Sequence, residues 1–92
     1  MPKLFSIGRY VIFFWSSENN EPIHVHIGIV NPSPNATKVW ITKSGGCIVA
    51  HNKSRISKKD MSHLLHIIQN DHSSICNAWR KHFNIDFIEF YC

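Results

Sequence analysis

From Ile7 to Ser16 the chain reads Ile-Gly-Arg-Tyr-Val-Ile-Phe-Phe-Trp-Ser. β-Branched and aromatic residues dominate, which predicts a strand, and the near-continuous apolar run predicts burial on both of its faces. Ser16 to Glu21 is polar and Asn-rich, as expected of a loop. Pro22 opens a second strand from Ile23 to Val30, at the position where a missing N–H costs no ladder bond. Asn31-Pro32-Ser33-Pro34-Asn35 breaks it. Thr37 to Lys43 alternates, with Val39 and Ile41 on one face and Lys38, Trp40 and Thr42 on the other. Ser44-Gly45-Gly46 is a hairpin turn signal, and Cys47 to Ala50 a short further strand.

The periodicity then changes. Ser57-Lys58-Lys59-Asp60 has the form of a helix capping box, with Asp in place of Glu. Met61, Leu64, Leu65 and Ile68 fall on one helical stripe, and Ile75, Ala78, Trp79, His82 and Phe83 on another. Between them Asn70-Asp71 and Ser73-Ser74 suggest an end and a new cap, although the phase also allows one long kinked helix. Asn84 reads as a stop, and the apolar Asp86 to Tyr91 as an edge strand. The fold class expected is α+β: a small antiparallel sheet of about three to four strands followed by two C-terminal helices packed on one face. All of residues 1–92 form a single domain in this scheme, with strands within about 7–50, helices within about 57–83 and a tail at 84–92.

Composition narrows the class. The chain is 43% apolar, enough for a core, so disorder is not expected beyond the ends. The three cysteines are odd in number and lack a C-x-x-C spacing, which points away from a disulfide framework and toward the cytoplasm. None has a His partner in a recognisable arrangement, so no catalytic thiol is expected. Tyr10 to Trp15 is far too short to span a bilayer, and no signal peptide is visible. A net charge of +4, with seven His counted neutral, suits a polyanionic partner. The densest basic run, Lys53, Arg55, Lys58 and Lys59, reads first as a solvated loop and helical turn.

The distinctive chemistry is His24-Val25-His26. Residues two apart on a strand share a face, so the imidazoles stand side by side while Val25 and Ile27 point into the core. A metal site would need a third ligand, and the spacing selects none of Glu21, His51 or Cys47, so no metal and no cofactor is expected. Nucleotide hydrolases with a His-x-His-x-His strand use the last His as nucleophile, and here that position is Gly28. The two separate His-x-Thr/Ser motifs of two-His phosphoesterases have no counterpart on the strands either. His24 and His26 as a general acid–base pair on RNA stay open as an alternative. So does plain binding, with Arg9, Lys38 and Trp40 holding a phosphate or stacking on a base beside the two imidazoles. His63 and His66 on the first helix read as surface, and Trp79 as a core anchor.

These residues carry a resemblance. The chain resembles the bacterial domain-of-unknown-function family 4160 in its Met1-Pro2 start and in Ile7-Gly8-Arg9-Tyr10 leading an aromatic strand. The likeness continues in Pro22-Ile23-His24-Val25-His26, where the family has Pro-Pro-His-x-His, and in Ala78-Trp79 on the C-terminal helices. It runs through residues 1 to 83 and is most specific over 7 to 27. The resemblance implies a small prokaryotic or phage-borne protein, often encoded beside another small protein in a toxin–antitoxin-like arrangement. The expectation is a cytoplasmic protein binding RNA or a nucleotide-type ligand through the His24/His26 face, with a small cognate protein or a second copy of itself as partner. A metal-independent ribonuclease and a non-catalytic protein-interaction module are the alternatives.

Overall fold

The computed structural model describes residues 3–16 and 20–92. Its strands are β1 (Lys3–Ile7), β2 (Tyr10–Phe13), β3 (His24–Ile29), β4 (Thr37–Ile41) and β5 (Cys47–His51), followed by the helices α1 (Lys58–Asn70) and α2 (His72–Phe83). Among the described residues the strands form one antiparallel meander in the order β1-β2-β3-β4-β5. The α+β class holds, with five strands in place of three to four.

The extra strand comes from the N-terminal apolar run, which is two strands and not one. Gly8 lies at φ +55 and, with Arg9, turns the chain so that Ile7 pairs with Tyr10. Gly at the first central position is what a two-residue hairpin turn of this kind requires, because a side chain there would be strained. The second half of the run meets its expectation: Tyr10, Val11, Ile12 and Phe13 are all buried.

One face of the sheet carries the main core. Ile12, Val25, Ile27, Val39 and Ile41 pack there against Leu64, Ile68, Ile75 and Trp79 of the helices. The opposite face has a smaller apolar cluster of Val11, Phe13 and Ala36, with Trp15 against it. The alternation read in Thr37 to Lys43 is present as buried Thr37, Val39 and Ile41 and half-buried Lys38 and Trp40.

Ser57 caps α1, its hydroxyl accepting from the Asp60 N–H at 3.2 Å. The helical region is two helices joined at Asp71, whose N–H reaches the carbonyls of Ile67 and Ile68 while its own carbonyl accepts from Ile75. Asn84 ends α2 in the left-handed conformation at φ 54. The tail forms no strand, contrary to the expected edge strand. It lies across strand ends, where the Ile23 N–H donates to the Glu89 carbonyl and the Lys43 N–H to that of Cys92. Ile85, Ile88 and Phe90 pack on the main core, and that anchoring directs the segment away from a sheet edge.

Candidate functional site

Antiparallel register fixes which side chains meet on the sheet face opposite Ile12, Val25 and Val39. Phe13, His26, Lys38 and His51 are successive cross-strand partners from β2 to β5. His24, Trp40 and Ile48 form the next row, from β3 to β5. Paired residues point to the same side, so the sequence places two imidazoles, an ammonium, an indole and a third imidazole on one surface.

His24 is fully buried. Its Nδ1 stands 2.9 Å from the Pro22 carbonyl oxygen, a contact that requires the proton on Nδ1. The ring packs edge-on against His26, Trp40 and Trp79 at centroid distances of 5.0, 5.7 and 5.4 Å. His26 is 7% exposed and stacks on Phe13 at 5.4 Å, with Trp15 at 6.2 Å. Neither imidazole is presented to a substrate in this conformation, and His24 is enclosed on the sides where a phosphate would have to approach.

The half-buried Lys38 and Trp40 stand one strand over. Lys38 donates to Glu21 Oε1 at 2.6 Å, and its ammonium stands 4.3 Å from the Trp40 ring centre. Trp40 also stacks flat on Tyr91 of the tail, the rings 4.9 Å apart and 6° from parallel. Tyr91 itself is 60% exposed. Beyond Lys38, His51 has its Nδ1 buried with no hydrogen-bond partner among the described residues. Burial, then the charges of Lys53 and Lys38, hold the His51 pKa below the ordinary imidazole value. This end of the face is electropositive and suited to an anion.

Protonation of His51 favours the unfolded chain, so its contribution is complete above about pH 6.5 and is lost as pH falls toward the folded pKa. The drop in Tm between about pH 7.5 and about pH 5.5 should therefore be smaller in His51→Gln than in the wild type. An equal drop in both proteins would contradict this assignment.

Of the residues expected at the site, His24, His26, Lys38 and Trp40 come together and Arg9 does not. Arg9 occupies the β1–β2 turn, where its guanidinium meets the Tyr10 hydroxyl at 3.4 Å and Asp60 at 4.0 Å, on the helix side. The hairpin is the cause: Arg9 is a turn residue and has no place on a strand face. Lys43 is likewise exposed in the β4–β5 turn. Of the third metal ligands weighed, Glu21 is engaged by Lys38, and Cys47 turns toward the Leu65 carbonyl at 3.7 Å on the other face. Among the described residues no three His, Cys, Asp or Glu side chains assemble as a metal site. His63 and His66 are exposed on α1. Met1-Pro2 and Glu18 lie outside the described residues.

Two features escaped sequence reasoning. Tyr91 reaches Trp40 from the other end of the chain, and no local pattern signals that. The cysteine reading needs correction, because Cys76 Sγ lies 3.8 Å from His72 Nδ1. The four-residue helical spacing of His72 and Cys76 was a legible cue for that pair.

Comparison with known proteins adds one finding. The family model described as domain of unknown function (DUF4160) matches residues 10–80, more than half of the chain. The protein belongs to the DUF4160 family. No curated protein and no solved structure matches it. The matched segment begins at β2 and includes β3 to β5, α1 and most of α2, hence the whole Phe13–His26–Lys38–His51 row. Tyr91 and the rest of the tail fall beyond the DUF4160 match. So does the partner of the Ile23 N–H, a donor that a proline at that position would lack.

Proposed function

We propose that this DUF4160 protein binds single-stranded RNA or a nucleotide-type ligand on the sheet face that carries Lys38 and Trp40, within a toxin–antitoxin-like or defence module in the cytoplasm. The observation that carries the reading is the pairing of Lys38 with Trp40. An indole stacks on any base, here in exchange for Tyr91, and an ammonium 4.3 Å from its ring centre is placed to meet the adjoining phosphate in exchange for Glu21. The flat Trp40–Tyr91 contact supports it, since that ring already accepts a parallel π system. Lys53, beside the His51 imidazole, extends the positive surface for a further phosphate.

Binding is favoured over the ribonuclease alternative. A general acid or base must reach the proton that it moves, and full burial of His24 against Trp40 and Trp79 argues against that role. His24 and His26 instead support the platform from within, filling the space between Phe13 and Trp40. A small cognate protein remains the partner that the resemblance implies.

Calorimetric titration with short single-stranded RNAs and a panel of mononucleotides, cyclic species included, tests the proposal. Binding should weaken steeply between about 50 mM and about 200 mM salt as phosphate contacts release counterions. Trp40→Ala should cost about 1–3 kcal/mol of affinity, the usual worth of one base–aromatic stack. Absence of heat and of any thermal shift across the panel would remove the proposal.

A further inference from the structure

α2 presents a nucleophile, a base and a cavity that the proposed binding face does not use. His72 and Cys76 lie one turn apart near the start of α2. His72 Nε2 is 2.8 Å from the Thr42 carbonyl oxygen, which can only accept, so Nε2 carries the proton. In the neutral imidazole Nδ1 is then bare, and it lies 3.8 Å from Cys76 Sγ. The Phe90 ring lies parallel to the imidazole, 5° from its plane at 6.4 Å. A carbonyl that fixes the tautomer and a base that faces a thiol are the parts of an activated nucleophile.

Cys76 is buried at the wall of a cleft of about 600 Å³, and Arg80 and Asp86 stand on the same cleft with Ser73 and Asn77. Arg80 is held by Asn77 Oδ1 at 2.6 Å. Burial pushes the thiol pKa up and the Arg80 charge offsets part of this, so the resting group is a thiol that needs a base as it reacts. Cys47 is the internal contrast. Burial raises its pKa as well, but its thiol meets the Leu65 carbonyl and the Gln69 side chain in place of an imidazole.

We propose that Cys76 is a modification site that forms a mixed disulfide with a small peptide disulfide bearing both carboxylate and ammonium groups, with His72 as its base. The thiol proton passes from Sγ to His72 Nδ1 as Sγ bonds to one sulfur of the reagent. The reagent's S–S bond breaks, and the departing thiolate takes the proton from Nδ1 and leaves as a thiol. Cys76 is oxidised to the mixed disulfide and half of the reagent is reduced, so no other oxidant is needed. Arg80 and Asp86 supply charges of both signs for a zwitterionic reagent.

The full-length protein is incubated with glutathione disulfide at neutral pH, and each cysteine is followed by peptide mass spectrometry. Cys76 should be modified well ahead of Cys47, and His72→Gln, which keeps an N–H for Thr42, should slow Cys76 by on the order of 10²-fold while leaving Cys47 unchanged. Arg80→Gln should slow the reaction with glutathione disulfide but not that with the neutral hydroxyethyl disulfide. Faster labelling of Cys47 in His72→Gln would report loss of the fold, and the wild-type order of Cys76 over Cys47 then decides. Cys76 reacting no faster than Cys47 in the wild type, or keeping its lead in a folded His72→Gln, overturns the proposal.

Discussion

Trp79→Ala is expected to destabilise the protein by about 3–5 kcal/mol, as the loss of a buried Trp or Phe typically does. Trp79 is 1% exposed and is the largest fully buried side chain. It touches Phe14, Phe83 and His24 at ring distances of 5.2, 4.6 and 5.4 Å, and so ties α2 both to the chain after β2 and to the first residue of β3. A domain of this size has roughly 5–15 kcal/mol in all, so the loss would leave a chain that is partly unfolded under mild conditions. Urea unfolding followed by far-UV circular dichroism measures it. A midpoint within the range of ordinary surface variants would show that Trp79 is not the anchor between helix and sheet.

Gly28→Ala is expected to cost about 1–3 kcal/mol through overpacking. A Cβ at Gly28 would lie 2.6 Å from the Asn31 backbone oxygen and 3.3 Å from Phe13 Cε1. The backbone cannot easily retreat, because Val30 stands at φ +68 and the Asn31 N–H is bonded to the Ile29 carbonyl at 2.7 Å. The glycine that interrupts a His-x-His-x-His pattern is thus one that the turn after β3 requires. Gly28→His, which would complete that pattern, should be more damaging still. The check is a fall in the urea midpoint at constant m, and an unchanged midpoint would mean that the turn relaxes freely.

Much of the sheet was legible because alternation on a half-buried strand is a strong signal. The split of β4 into buried Val39 and Ile41 and half-buried Lys38 and Trp40 follows directly from it. The first hairpin was missed because Ile7 and Tyr10 are apolar on both sides of Gly8-Arg9, so hydrophobicity alone ran straight through a turn that a single positive φ creates. The helices were legible down to the Ser57 cap. The tail was not, because its course depends on where Ile23 and Lys43 offer N–H groups, a tertiary fact with no local pattern.

At the site, pairing of His24 with His26 was readable from the two-residue strand period, but their burial was not. Exposure depends on Trp40, Trp79 and Phe13, which arrive from other elements. Arg9 is expected beside them on the sheet as a strand residue, and the hairpin sends it to Tyr10 and Asp60 instead. On the neighbouring strand Lys38 and Trp40 are half-buried and thus less enclosed than the two imidazoles.

The most direct measurement is a two-dimensional amide and indole NMR titration of the isotopically labelled protein with a short single-stranded RNA. Shift changes concentrated on Lys38, Trp40 and its indole N–H, Trp15 and His51, with the exposed face of α1 silent, are the outcome expected for ligand on the open sheet face. Changes centred on His63 and His66 of α1, or an unperturbed spectrum at saturating RNA and nucleotide, would contradict it.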